Sequence, residues 1–113
     1  MQFGILTVNS LDGESIEDFA IRVFEKWKLG QAGKDNGCLF IVAVQDREYR
    51  IEVGYGLEGV LTDLKTGQIG RNVVEPKLGA NDWSGGIMAT IKALYETASG
   101  DILETDDSYK DIS

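Results

Sequence analysis

The sequence has no histidine and only one cysteine, Cys38, among its 113 residues. The missing histidine excludes Ser-His-Asp triads, Cys-His pairs and histidine-ligated zinc. One cysteine cannot form an intrachain disulfide framework or a cysteine-rich metal cluster. No apolar run approaches the roughly 18 residues of a membrane span, and no basic-then-apolar leader opens the chain. Any chemistry must therefore come from carboxylates, hydroxyls, amides and the backbone.

Positive charge is also scarce, with 11 Lys and Arg against 19 Asp and Glu and a formal net charge of −8 at pH 7. Residues 101–113 contain five of the acids and one lysine, which predicts an acidic tail or linker after a single domain over residues 1–100. A field of this sign repels phosphate backbones, so it argues against nucleic-acid binding. It attracts cations.

Three segments have the composition of β-strands. Residues 3–8 form a short apolar run with β-branched members, and residues 38–44 form a continuous apolar run typical of a strand covered on both faces. Residues 48–53 alternate between apolar and charged side chains, which indicates a strand with one wet face. The polar pair Asp46 and Arg47 separates the last two strands and predicts a tight hairpin turn.

A helix is predicted between the first two strands. Ser15 followed by Asp18 resembles a capping box, and Gly30 marks the end. Apolar residues follow helical spacing and predict a core-facing stripe: Ile16, Phe19, Ala20, Val23, Phe24 and Trp27. A helical crossover makes the two strands it joins parallel.

Two more helices are predicted in the second half. Residues 64–74 form one, ended by the only proline, Pro76, and residues 84–99 form another with Asn81 and Asp82 as capping candidates. The element order is then β-α-β-β-α-α. It predicts a small α/β sandwich with a mixed sheet and helices on both faces.

Oxygen-bearing residues are predicted to converge at one edge of this sheet. A hairpin places the start of residues 38–44 beside the end of residues 48–53. The predicted ligands of a hard cation there are Asp35, Asn36, Glu58 and Asp63. Calcium is the expected ion, with magnesium or manganese as alternatives. The competing interpretation makes the first two of these residues turn formers and the last a helix cap.

The opposite edge carries a second, weaker candidate. Asp12 follows the first strand and Asp46 the second, at the edge where ligands bind in α/β sheets. Asp46 next to Arg47 is also the one carboxylate–guanidinium turn placed to hold phosphate, and these two residues are the candidate catalytic pair of a hydrolase. Ordinary turns explain all three residues as well.

Residues 54–59 match the dinucleotide pattern G-x-G-x-x-G, but the match is a false positive. The strand before it belongs to a hairpin, no parallel strand follows, and Glu58 would place negative charge where pyrophosphate binds. No dinucleotide cofactor is therefore expected. Cys38 is predicted to be a small buried hydrophobic residue and not a nucleophile.

The sequence resembles the TPM domain family, formerly a domain of unknown function, over about residues 3–99. The family's namesakes are a thylakoid-lumen phosphatase, a photosystem-repair protein and a modulator of acetylcholine receptors. The matching motifs are SLDG (10–13), IEDFA (16–20), WKLG (27–30), DNGCL (35–39), DR (46–47), RIEVGYGLEGVLTD (50–63), Pro76 and NDWSGGI (81–87).

The resemblance implies a Rossmann-like α/β sandwich that binds divalent cations, calcium in particular. It also implies two roles: an accessory module in assembling or repairing membrane protein complexes, or an acid phosphatase acting on phosphate monoesters. A purely structural or interaction module is the third alternative. Family members are often exported or anchored in the cell envelope.

The chain departs from the family pattern in two places. Thr62 stands where the family usually has proline. The family also normally begins with another helix, whereas here Met1 lies almost at the first strand. Two alternatives explain the missing helix: the sequence is a trimmed piece of a longer chain, or a second copy or a helix-donating partner covers the exposed face of the sheet.

Overall fold

The computed structural model describes residues 1–30 and 35–99. The predicted acidic tail, residues 101–113, lies outside these ranges. The described residues form two compact units, divided between Glu58 and Gly59. The elements are β1 (Gln2–Val8), α1 (Ile16–Trp27), β2 (Gly37–Ala43), β3 (Glu48–Val53), a 3₁₀ turn (Tyr55–Leu57), α2 (Asp63–Ile69), a π-helical turn (Gly70–Val74), α3 (Glu75–Gly79) and α4 (Trp83–Ser99).

The first unit is built on a three-stranded sheet in the order β1-β2-β3. β1 runs parallel to β2, with Phe3 opposite Cys38. β2 runs antiparallel to β3, with Phe40 opposite Ile51. Every residue of β2 is buried, as its unbroken apolar run predicts. The predicted α/β class with a parallel crossover and a hairpin is confirmed.

Helix α1 packs its apolar stripe on one face of this sheet. The Ser15 hydroxyl accepts a hydrogen bond from the Asp18 N–H at 3.1 Å, so the predicted N-cap is confirmed. Alternate residues of β2 point to the helix because strand side chains alternate in direction. The buried residues of this core are Leu11, Ile16, Ala20, Leu39, Ile41 and Ala43.

The C-terminal end of α1 differs from the prediction. Lys28 takes the left-handed conformation at φ 51° and ends the helix two residues before Gly30. Trp27, predicted to be core, is 44% exposed. Trp27 occupies the last helical position, and its ring lies at the margin of the core, next to Gly4 of β1. The core prediction for Trp27 is therefore wrong.

The described part of the second unit, residues 59–99, contains only helical elements and their connections. A π-helical turn follows α2, and the N–H of Glu75 donates to the carbonyl of Gly70. The prediction that Pro76 ends the helical run is wrong. Pro76 stands in the first turn of α3, where a missing N–H costs no intrahelical hydrogen bond. Asp82 accepts a hydrogen bond from the Gly85 N–H at 3.0 Å at the start of α4, as expected of a cap.

Side chains of α4 contribute to the buried centre of the second unit, together with Leu61, Ile69 and Val74. Thr90 and Leu94 are fully buried, and the Thr90 hydroxyl donates to the Gly86 carbonyl at 2.6 Å. This bond satisfies a hydroxyl that would otherwise be buried at a cost. Across the part of the chain that the structure describes, no helix combines the length and apolar character needed to cross a bilayer.

Candidate functional site

The loop before β2 and the loop after β3 lie side by side at one edge of the sheet. The Gly54 N–H donates to the Gly37 carbonyl at 2.9 Å, and the Gly56 N–H donates to the Asp35 carbonyl at 2.8 Å. The hairpin therefore carries Asp35 to the glycine-rich segment, as the sequence predicts.

A cavity of about 360 Å³ opens at this edge. Its lining combines acidic with apolar side chains and one glycine: Glu25, Asp35, Glu52 and Glu58, then Ile21, Phe24, Leu29, Val53, Gly54 and Tyr55. All ten residues belong to the first unit. We call this site the acidic cavity.

Two elements supply most of its walls. Ile21, Phe24 and Glu25 are spaced three and four residues apart on α1, so they share one face of the helix. Glu52 and Val53 end β3. In a β-α-β crossover the last turns of the helix lie beside the start of the following strand, which is why α1 meets the loop that carries Asp35.

The acidic cavity holds more negative than positive charge. The Arg50 Nε donates to Glu52 Oε1 at 3.0 Å, which neutralises part of the charge on Glu52. Glu25, Asp35 and Glu58 are exposed, and no Lys or Arg within residues 1–30 and 35–99 forms an ion pair with them. The cavity is therefore suited to a cationic ligand.

Two of the four predicted metal ligands line the acidic cavity, and the other two are not among its lining residues. Asp35 and Glu58 both line the acidic cavity. Asn36 is half-buried, and its backbone carbonyl accepts a hydrogen bond from the Gln2 N–H at 3.0 Å. Asp63 is the first residue of α2 in the second unit. It is not the helix cap that the competing interpretation assumed, because the Thr62 hydroxyl accepts the Lys65 N–H at 3.2 Å.

The described residues contain no group of three or more Cys, Asp or Glu side chains that could hold a metal ion together. Sequence reasoning missed Glu25 and Glu52 as neighbours of Asp35. The available signal was topological, because a crossover helix ends near the strand that follows it. Nothing in the local sequence around Glu25 distinguishes it from an ordinary solvent-facing helix residue.

At the opposite edge, Asp46 has a structural role. Its Oδ2 accepts the N–H of Leu11 at 2.8 Å and so ties together the loops that follow β1 and β2. Asp12 and Arg47, the other candidates there, are exposed residues with left-handed backbone at φ 53° and 55°. Asp12, Asp46 and Arg47 thus lie in two turns, which is the alternative interpretation given for them above.

Replacing Asp46 tests this role. Asp46→Ala is expected to lower the free energy of unfolding by about 1–3 kcal/mol, because the Leu11 N–H loses its acceptor at a part-buried position. Asp46→Asn keeps an acceptor oxygen and should lose less. Urea denaturation measures both, with Glu48→Ala as an exposed control expected to change stability by about 0.5 kcal/mol or less. Equal losses for Asp46→Ala and Glu48→Ala would contradict the structural role.

Comparison with known proteins places the chain in a family. The family model of the TPM domain matches residues 1–97. None of the curated proteins matches the chain significantly. The predicted resemblance is therefore confirmed by the family model.

Two solved structures share the fold. The solution NMR structure of the N-terminal domain of a P. gingivalis protein has a TM-score of 0.78 and 28% identity, with 88% of this chain and 63% of that chain covered. The NMR structure of the BA42 protein from the psychrophilic bacterium Bizionia argentinensis has a TM-score of 0.72 and 22% identity, with 87% and 66% covered. The chain thus spans just under two thirds of each. From the family match over residues 1–97, we conclude that this chain belongs to the TPM domain family.

Proposed function

We propose that this TPM domain is a divalent-cation-binding accessory domain, with calcium as its preferred ion, and that the ion binds at the acidic cavity. The observation that carries the proposal is the convergence of Asp35 and Glu58, from loops far apart in the sequence, on one cavity. Family resemblance supports the further role of an accessory module in assembling or repairing membrane protein complexes.

The oxygen chemistry of the cavity suits a hard cation. Calcium takes six to eight oxygen ligands in flexible geometry, and carboxylates, amide oxygens, backbone carbonyls and water all serve. Asp35 and Glu58 would hold it, with Asn36 as a candidate amide ligand. Asp63, the fourth predicted ligand, begins α2 in the second unit and stays a prediction. Because no group of three acidic side chains meets within the described ranges, water must supply several ligands. We therefore expect a dissociation constant of about 0.1–1 mM, the range of weak extracellular calcium modules.

Hydrolysis of phosphate monoesters is the less favoured function. The carboxylate of Asp46, which would act beside Arg47, already accepts the Leu11 N–H. This hydrogen bond gives the carboxylate a structural role. A substrate phosphate would also meet a protein with a net charge of −8, unless a bound cation reversed the local sign.

Thermal unfolding in calcium tests the proposal. With a dissociation constant of about 1 mM, 10 mM calcium should stabilise the protein by about 1.4 kcal/mol, because the ion binds the folded state alone. For a domain of this size the melting temperature should rise by several degrees. The measurement is a melting curve at constant ionic strength, with magnesium and manganese in parallel.

The variants locate the ion. Asp35→Asn with Glu58→Gln should abolish most of the calcium shift, and asparagine is well tolerated at the left-handed backbone of Asp35, φ 50°. Asp63→Asn tests the remaining predicted ligand. Glu17→Gln with Glu48→Gln removes the same charge from exposed sites elsewhere and should leave the shift intact. An unchanged shift in the Asp35 and Glu58 variant would place the ion elsewhere, and no shift in the wild-type protein would refute cation binding.

A further inference from the structure

The acidic cavity is amphipathic, and a metal ion uses only part of it. Beside the carboxylates, its lining includes Ile21, Phe24, Leu29 and Val53. A volume of about 360 Å³ lies within the range of small-molecule sites, roughly 300–1,000 Å³. Apolar walls do not coordinate a cation. The lining therefore fits a ligand with an apolar stem and a positive head.

An exposed aromatic ring completes the lining. Tyr55 lies in the 3₁₀ turn between Gly54 and Gly56, and it is 82% exposed. Folding does not bury this ring, so packing within the unit does not explain it. Tyrosine and arginine are enriched where proteins bind each other, and an aromatic face attracts a guanidinium group.

We propose that the acidic cavity binds the arginine side chain of a basic segment in a protein partner. The three methylene groups of arginine would lie along the apolar wall, as charged side chains with long stems commonly do. The planar guanidinium matches a carboxylate such as Asp35 or Glu58 with two parallel hydrogen bonds, and it stacks on an aromatic ring such as Tyr55.

Charge selects this occupant. The lining holds four acidic side chains, and among residues with described positions it holds no Lys or Arg. Arg50 forms an ion pair with one of the four, Glu52. A neutral or acidic peptide would leave the negative groups without a partner, whereas an arginine side chain satisfies both halves of the cavity.

This inference goes beyond cation binding and does not depend on it. Because Asp35 and Glu58 serve both ligands, calcium and the arginine side chain should compete. Titrations with a chelator present test the arginine site alone, and the calcium melting curves without peptide test the metal site alone. Failure of one proposal can thus be distinguished from failure of the other.

The experiment is an NMR titration of the isotope-labelled chain with acetyl-Gly-Arg-Gly-amide, in EDTA. The amide signals of residues lining the acidic cavity should shift in a saturable way, and binding should weaken as salt rises. The citrulline peptide, which keeps the shape without the charge, should bind at least about tenfold more weakly. The lysine peptide should bind more weakly than the arginine peptide because it lacks the planar fork.

Variants separate the proposed contacts. Tyr55→Ala should weaken binding of the arginine peptide about two- to fivefold, the range expected for an exposed cation–π contact. It is expected to fold because the ring is exposed. Glu58→Gln should weaken binding by a similar factor, and Glu17→Gln, outside the cavity, should leave it unchanged. Equal shifts with the citrulline peptide, or shifts confined to another surface, would overturn the proposal. A dimer that forms without peptide and protects the same residues would overturn it too, because a second copy would be the occupant.

Discussion

Gly54→Ala is expected to lower the free energy of unfolding by about 3 kcal/mol, at the upper end of what one extra buried methyl group costs. A Cβ at this position would lie 2.5 Å from the Asp35 carbonyl oxygen and 3.2 Å from the Gly37 carbonyl oxygen. The backbone of Gly54 is extended, with φ −73° and ψ 158°, which any residue adopts. The requirement for glycine here is therefore a matter of space.

The surrounding backbone cannot move away cheaply. The Gly54 N–H donates to the Gly37 carbonyl, and the Gly56 N–H donates to the Asp35 carbonyl. A shift large enough to accept the methyl group would break these bonds and leave their groups unpaired. The same shift would separate Asp35 from the turn that faces it. The variant should therefore also weaken the binding of any ligand to the acidic cavity.

Matched glycines supply the controls. A Cβ at Gly59 or at Gly79 meets nothing within 4 Å, and neither residue has a positive φ. Gly59→Ala should change stability little, and Gly79→Ala should gain about 0.4–1 kcal/mol because it restricts the unfolded chain at no cost to the folded one. Urea denaturation of the three variants measures these differences. A loss for Gly54→Ala no larger than for Gly59→Ala would show that the two loops are not held in contact.

The sequence predicts the sheet and its first helix well because their patterns are strong and local. The unbroken apolar run of β2 is typical of a strand covered on both faces, and the alternation of residues 48–53 predicts β3 with its observed bounds. The stripe of α1 follows helical spacing, and Ser15 fixes its start. In a hairpin of β2 and β3, the start of β2 lies beside the end of β3. The sequence therefore also predicts that Asp35 lies next to the segment after β3.

Other features depend on packing and were not predictable. The π-helical turn Gly70–Val74 is followed directly by α3, which contains Pro76, and no pattern in the sequence predicts that turn. Glu25 and Glu52 line the acidic cavity only because α1 packs along β3 at a particular position. The predicted role of Asp63 rests on its short distance in sequence from Glu58, and it stays a prediction.

Cys38 is expected to react with a thiol reagent at pH 8 at least about 1000-fold more slowly in the folded protein than in the unfolded chain. The thiol is fully buried in the central strand. Burial, and to a lesser extent the negative charge of Glu52, raises its pKa from 9.0 to about 12. The thiolate is the reacting species, and three pKa units reduce its fraction about 1000-fold. A reagent such as dithiobisnitrobenzoate, with and without denaturant, measures the two rates.

The same pKa shift makes stability depend on pH. Well below pH 9 the thiol is almost entirely neutral in both states and has little effect on stability. Above pH 9 the unfolded thiol ionises while the folded one keeps its proton, so stability falls by about 1.4 kcal/mol per pH unit until the folded pKa is reached. Tyrosines and lysines titrate in this range as well, so the test is the difference in slope between the wild-type protein and Cys38→Ala. Equal slopes between pH 9 and 11 would contradict the raised pKa.

The buried thiol also gives an independent measure of ligand binding. β2 is paired on both sides, so exposing Cys38 requires opening of the sheet, and labelling reports the population of open molecules. A ligand that binds only the folded state lowers this population by the factor 1 + [L]/Kd, about elevenfold for 10 mM calcium and a dissociation constant of about 1 mM. Slowing by this factor in the wild-type protein and not in Asp35→Asn with Glu58→Gln would agree with the melting curves. Slowing of equal size in both proteins would mean that calcium acts away from the acidic cavity.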